Sequence, residues 1–221
     1  MGTIHRFWIS FVLLSDVWTG SAWNLLSGRR RFHLLPSSEY DRAGIHEHFM
    51  SLALAEAQRA GRRGEVPIGA VVVRYVGQDK YEVLATGANG VETHRDASAH
   101  AELVALRRAA RRVKNWRLLN CTLYSTLEPC SMCLSACLAF RIDSIVYGAP
   151  DLRLGAVETQ QQMLVDVAHP FHNVTSVVAG VQREESAQLL RDFFRDRRDN
   201  KGPVPGKWTN VQTFWARRVE S

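Results

Sequence analysis

The chain has 221 residues, 46% of them apolar, with 28 Lys and Arg against 22 Asp and Glu and a formal net charge of +6. That length holds one domain with extensions, and the apolar content excludes a disordered polyelectrolyte and permits a proper core. Four cysteines, two of them three residues apart, exclude a disulfide framework and point to a reducing compartment, while the basic balance points to an acidic partner, nucleic acid first.

Residues 1–44 stand apart from the rest of the chain. Arg6 precedes the apolar run Phe7-Trp8-Ile9-Ser10-Phe11-Val12-Leu13-Leu14, which is too short to span a bilayer and has the length of a signal-peptide core. Gly20, Ser21 and Ala22 suit cleavage before Trp23. Beyond that point come Arg29-Arg30-Arg31 and several serines, with no acid until Glu39, the composition of an organelle transit peptide. The combination resembles the two-part plastid presequences of algae with secondary plastids. It predicts delivery to a plastid or another organelle and no membrane contact in the mature form. A mitochondrial presequence is one alternative; a start set too far upstream of a cytoplasmic or nuclear protein is another.

Residues 45–60 read as an amphipathic helix, with Phe49, Met50, Ala53, Leu54 and Ala57 on one face and Glu56 at its edge. Glu65-Val66-Pro67-Ile68-Gly69-Ala70-Val71-Val72-Val73 reads as a turn and a buried strand, with 83–87 as its hairpin partner and 75–82 as a polar loop tip. Asn89-Gly90 is a turn dipeptide, and a loop over 91–99 leads to a helix over 102–113. That helix ends in Arg107, Arg108, Arg111, Arg112, Lys114 and Arg117, which suit a solvated helix C-terminus and a phosphate-contacting surface equally well. Residues 121–126 read as a strand feeding a further helix, 142–147 and 175–181 as two more strands, and 184–198 as a last helix with Leu189, Leu190, Phe193 and Phe194 apolar. From Asn200 onward, Gly202, Pro203, Pro205 and Gly206 mark a linker-like tail over 200–221. The domain is therefore expected over 45–199. Its alternation of elements predicts an α/β fold, a three-layer α/β/α sandwich with a central mixed sheet of about five strands.

The chemistry concentrates in two short stretches, Ala99-His100-Ala101-Glu102 and Thr126-Leu127-Glu128-Pro129-Cys130-Ser131-Met132-Cys133. With Pro129 as the first helical residue, Cys130 and Cys133 fall in the first turn of a helix, where free N–H groups and the dipole favour thiolates. Two thiolates are half of a zinc site, and Cys121 and Cys137 do not form a second Cys-x-x-Cys. His100 as third ligand leaves a fourth position open for water, as a catalytic zinc requires. Glu102 can hold that water without ligating. A lone His near a helix start is ordinarily an exposed polar residue, and a lone Cys pair is often merely buried. The combination, His-x-Glu followed by Pro-Cys-x-x-Cys, is the signature of zinc nucleobase deaminases.

Over about residues 46–199 the chain resembles the tRNA-specific adenosine deaminases of the bacterial and organellar type, within the cytidine deaminase-like superfamily. Besides the two stretches above, the resemblance rests on Glu65 to Val73, Thr122-Leu123-Tyr124-Ser125, Tyr147-Gly148-Ala149 and Phe193-Phe194-Arg195. It implies one zinc ion (Zn2+) per subunit on His100, Cys130 and Cys133, with Glu102 as the proton shuttle. It implies hydrolytic conversion of the wobble adenosine of a tRNA anticodon to inosine, by a homodimer that binds the anticodon stem-loop. It further implies that Asn89 meets the flipped base, that Asp151 lies near the anticodon backbone and that Arg195 faces RNA. Without it, Asn89 would be a turn residue, Asp151 a surface acid, and Phe193 and Phe194 core. The chain departs from the family pattern at Ala97, where a Pro is usual, and at Pro150, where a basic residue is usual. Its first hairpin is longer, and 159–165 carries extra residues. Two other readings stay open: a deaminase of a free base or nucleoside of the guanine or cytosine type, and a non-catalytic RNA-binding subunit that keeps zinc for structure. The arginine-rich helix end and Phe193-Phe194-Arg195 favour RNA over the first, and Glu102 argues against the second.

Overall fold

The structure, a computed structural model, describes residues 34–36, 44–77, 80–166 and 172–199. The presequence expected over 1–44 lies outside them except for 34–36 and Gly44, and the tail over 200–221 lies outside them entirely. In chain order the elements are β1 (Leu34–Pro36), α1 (Ile45–Arg62), β2 (Gly69–Gly77), β3 (Lys80–Ala88), α2 (Val91–His94), α3 (Ala101–Val113), β4 (Cys121–Leu127), α4 (Ser131–Phe140), β5 (Ser144–Ala149), α5 (Met163–Asp166), β6 (Ser176–Ala179) and α6 (Arg183–Asp199). Among the described residues no helix is long and apolar enough to cross a membrane.

The sheet runs β1-β6-β5-β4-β2-β3. β2 is antiparallel to both of its neighbours, and the other pairs are parallel, so the sheet is mixed as expected. The five expected strands are joined at one edge by the short β1. Alternation along the strands builds two cores. Ala70, Val72, Leu123, Ile145 and Val177 face a layer that includes Ala105, Leu106, Leu134 and Leu138 of α3 and α4. Val71, Val73, Tyr124, Val146 and Val178 face Phe49, Met50 and Ala53 of α1, with Leu189 of α6 packed against them. The result is the three-layer α/β/α arrangement.

Two glycines let the helices close on the sheet. A Cβ at Gly69 would strike the Ala53 carbonyl and Ala57 amide of α1, and one at Gly87 would strike the Ala101 carbonyl and Ala105 amide of α3. The expected loop tip over 75–82 is instead a continuation of the hairpin, with Arg74 opposite Glu82 and Tyr75 opposite Tyr81. Tyr75, Val76 and Tyr81 are exposed there. A two-stranded arm with both faces wet has no apolar alternation to reveal it. Because β2 is antiparallel to both β3 and β4, and β5 is parallel to β4, the carboxyl ends of β3, β4 and β5 share one edge of the sheet.

Candidate active site

Two helix starts converge on that carboxyl edge, where ligand sites of open α/β sheets form. β3 leads through Asn89 and α2 to His100, the extended residue capping α3. β4 leads through Glu128 and Pro129 to Cys130, the extended residue capping α4. Pro129 therefore precedes the cap and is not the first helical residue; Ser131 is. Cys130 bridges Gly155 across the backbone, which holds it extended, while its carbonyl accepts the Leu134 amide at 2.8 Å.

His100 Nδ1 lies 3.7 Å from Cys130 Sγ and 3.5 Å from Cys133 Sγ. A tetrahedral zinc with its usual bond lengths has N···S edges of about 3.6 Å, so the three donors fit that ion. All three donor atoms lie within 4.8 Å of one another, and among the described residues no fourth His, Cys, Asp or Glu joins them. The hydrogen bond from Cys133 pulls the Cys130 thiol down to about 4, against burial and with help from His100. Cys133, the donor of that bond and itself buried, is pushed up, and the bond to Cys130 raises His100. The trio thus shares protons that a dication would displace. Two helix N-termini add to the preference for thiolate.

Glu102 sits in the first turn of α3, 4% exposed, outside the donor set. Burial raises its carboxyl to about 7. It lines the same cavity as His100 and Cys130, a space of about 910 Å³. Val66, Ile68 and Leu127 form an apolar part of the lining, and the walls are the loop 150–154 and one side of α6. Asp151 and Arg195 are both on those walls, joined by Arg153, Arg191 and Arg198, which nothing in the sequence singles out. Phe194 belongs to the wall as well, 36% exposed, and is not core. α6 is fixed beside the cavity by Arg197, which donates to the Gly64 carbonyl while its guanidinium lies 4.8 Å from the Phe193 ring. Arg195 pairs with Asp192 at 2.6 Å on the same helix.

Asn89 is not part of the cavity lining. It is buried, and its Nδ2 donates to Glu65 Oε2 at 3.4 Å. Glu65, 1% exposed, also accepts the Thr93 amide and hydroxyl, each at 2.6 Å, and the Glu92 amide at 3.3 Å. Burial alone would raise its carboxyl. The bonds from Thr93 and Glu92 and the nearby Arg63 charge outweigh burial and hold it below the usual range. This carboxylate pins the loop that delivers His100. Glu128 plays the corresponding part beyond β4, accepting backbone amides of Asp151, Val157, Glu158 and Thr159. The available sequence signal was an acid at one end of an apolar stretch near a Pro: Glu65 before such a stretch and two residues from Pro67, Glu128 after one and next to Pro129. Asp151 uses its own Oδ1 to accept the Arg153 and Leu154 amides at 2.9 and 3.2 Å.

The basic cluster at the end of α3 lies off the cavity. Arg107 reaches Ser98, Arg108 the Thr86 carbonyl and Arg112 Glu82, while Arg117 stacks on Trp116 at 4.0 Å.

Residues 44–149 match the cytidine and deoxycytidylate deaminase zinc-binding region. The chain is 40% identical over 160 residues to a tRNA-specific adenosine deaminase of Haemophilus influenzae, covering 72% of this chain and 89% of that one. It is 38% identical over 174 residues to the chloroplastic tRNA(adenine(34)) deaminase of Arabidopsis thaliana, covering 72% of this chain but only 13% of that longer one. A solved structure from studies of A-to-I editing by tRNA:A34 deaminases at the wobble position of transfer RNA is similar at 42% identity and a TM-score of 0.58, covering 65% of this chain and 99% of that one.

Proposed function

The chain belongs to the tRNA-specific adenosine deaminases, and from that premise we propose that it hydrolyses the wobble adenosine of a tRNA anticodon to inosine. The observation that carries this reading is the opening of the His100, Cys130 and Cys133 corner onto a cavity walled by Arg153, Arg191, Arg195 and Arg198, with Phe194 exposed among them. A neutral free base calls for none of that charge. An anticodon loop brings phosphates for the arginines and splayed bases for the ring.

His100, Cys130 and Cys133 would hold a zinc ion, which when bound would supply a Lewis acid and an activated water at neutral pH. Glu102, buried beside the donors and not among them, takes a proton from the attacking water and delivers it to N1 of adenine. It then carries the proton of the new C6 hydroxyl to the amine, so that the C6–N bond breaks, ammonia leaves and the C6 carbonyl of inosine forms. The apolar lining of Val66, Ile68 and Leu127 keeps bulk water from the base. The arginines grip phosphates without choosing sequence, and Asp151 sits on the same face as they do. Glu65 fixes the Asn89 side chain before substrate arrives, which suits a residue that meets the flipped base.

We further infer a homodimer and organellar delivery. α4 contains no charged residue, and Met132, Ser135 and Ala139 on it are exposed, a surface suited to pairing. The chloroplastic relative and the basic character of residues 23–38 support delivery. Incubation with tRNA transcripts, followed by sequencing for A-to-G conversion at the wobble base, tests the activity. Conversion of free adenosine with none of tRNA would overturn it. Light scattering tests the dimer, and the destination of a fluorescent fusion to residues 1–44 tests the delivery.

A further inference from the structure

We propose that Glu128 is a positioning residue for the substrate-facing wall of the cavity, holding the loop 151–159 in place so that the anticodon loop meets a preformed surface. This rests on the tRNA deaminase reading. Glu128 is 1% exposed. Its Oε1 accepts the amides of Val157, Glu158 and Thr159 at 3.1, 2.8 and 3.1 Å. Its Oε2 accepts the Asp151 amide at 3.0 Å and faces the Thr159 hydroxyl at 3.0 Å. That hydroxyl also lies 2.5 Å from the Asp151 carbonyl, so it ties the two ends of the loop together. Four backbone amides thus fill the acceptor sites of one carboxylate, and the single Thr159 hydroxyl proton is shared between Glu128 Oε2 and the Asp151 carbonyl.

Such a cluster accepts no substitute. A Gln of the same shape would turn an NH2 group toward backbone N–H donors. A Cβ at Gly155 would strike both the Thr159 hydroxyl and the Glu128 carboxylate, so the loop closes around the acid without spare room. What the clamp holds in place is the outer wall. Leu152 is 73% exposed and Leu154 59% exposed, with Arg153 between them, and all three line the cavity. Apolar side chains held in water beside a cation suit unstacked bases joined by phosphates. The Glu128 carboxylate is not among the metal-donor set, and the Cys130–Gly155 bridge is a backbone contact made without it, so zinc content reads the metal corner apart from the clamp.

The test uses the full chain loaded with zinc and an anticodon stem-loop as substrate, comparing Glu128→Gln, Thr159→Val and Thr159→Ser. The first two raise KM about tenfold, with kcat within about twofold and zinc content full, because only the fit of the wall is lost. Thr159→Ser keeps the hydroxyl and keeps the wild-type KM. Hydrogen exchange of the peptide spanning 151–159 reads the clamp without reference to substrate, and Glu128→Gln and Thr159→Val speed it. Unchanged KM and exchange in both variants overturn the proposal. So does a loss of zinc and kcat at constant KM, which would make the acid a support of the metal corner. If Glu128→Gln does not fold, the Val and Ser variants at Thr159 decide the matter alone. A wild-type protein inactive on the stem-loop overturns the assigned function, while the exchange experiment still decides what Glu128 holds.

Discussion

The metal corner and the cavity wall are built in opposite ways. The corner takes three side chains from two short motifs, each delivered at the start of a helix, one following β4 closely and the other reached from β3 through the loop 89–99. The wall takes a loop beyond β5 and a face of α6 near the end of the described chain, held by hydrogen bonds from Thr159 to Glu128 and from Arg197 to Gly64, 31 and 133 residues apart. Chemistry is thus fixed by two helix starts, and grip by a loop and a helix tied back to distant parts of the chain. Damage to the corner should abolish turnover, whereas damage to the wall should loosen binding and leave turnover alone.

The largest effects belong to the corner. Cys133→Ala removes a zinc ligand, and both zinc content and inosine formation fall to background. Glu102→Ala keeps zinc and fold and slows deamination by about 10²–10⁴-fold, the usual worth of a positioned proton carrier. Inosine formed at an undiminished rate by that variant would remove Glu102 from the chemistry.

Next comes the support beneath the corner. Glu65→Gln lowers stability by about 1–3 kcal/mol, measured by denaturant unfolding, because buried donors lose their acceptor. The native carboxyl lies below its unfolded value, so its stabilisation is complete above the ordinary Glu range and is lost as pH falls through the folded value. Wild-type protein should weaken on acidification below about pH 4.5, and the variant should show a shallower acid limb. Identical limbs would separate the loop from Glu65.

Smaller still is the wall's electrostatic share. Arg195→Ala raises KM severalfold at constant kcat and lowers the salt slope of tRNA binding by about one. The smallest effect is expected at Arg111, off the cavity at the far end of α3: Arg111→Ala should leave activity within about twofold and stability within about 0.5 kcal/mol. A marked loss of tRNA affinity there would break the contrast, because it would extend the grip over the opposite end of that helix.

The same contrast decides what the sequence disclosed. His100, Glu102, Cys130 and Cys133 were legible because metal ligation demands particular residue types at short spacings. The layered fold was legible because β2 and β4 alternate between two buried faces. The helix start was expected two residues early, at Pro129 and not Ser131, because a bridge to Gly155, far along the chain, keeps Cys130 out of the helix. Phe194 was read as core from its apolar character, but its neighbours on α6 turn that side of the helix toward the cavity. Arg153, Arg191 and Arg198 had no local mark, because a charge on a helix or loop looks alike whether it faces solvent or substrate. The roles of Glu65 and Glu128 were hidden for a similar reason, since their partners are backbone amides, which carry no residue identity.

The bare backbone at Gly87 sets a limit on how this enzyme can drift. α3 lies so close that a single added methyl would push against the turn that begins at Ala101, next to His100. No halfway residue exists between hydrogen and methyl, so a lineage cannot explore that position by degrees. The arginines around the cavity can be exchanged one at a time, each with a modest penalty. Taste for one transfer RNA over another is therefore free to wander over generations, while the seat of the metal is inherited whole or lost.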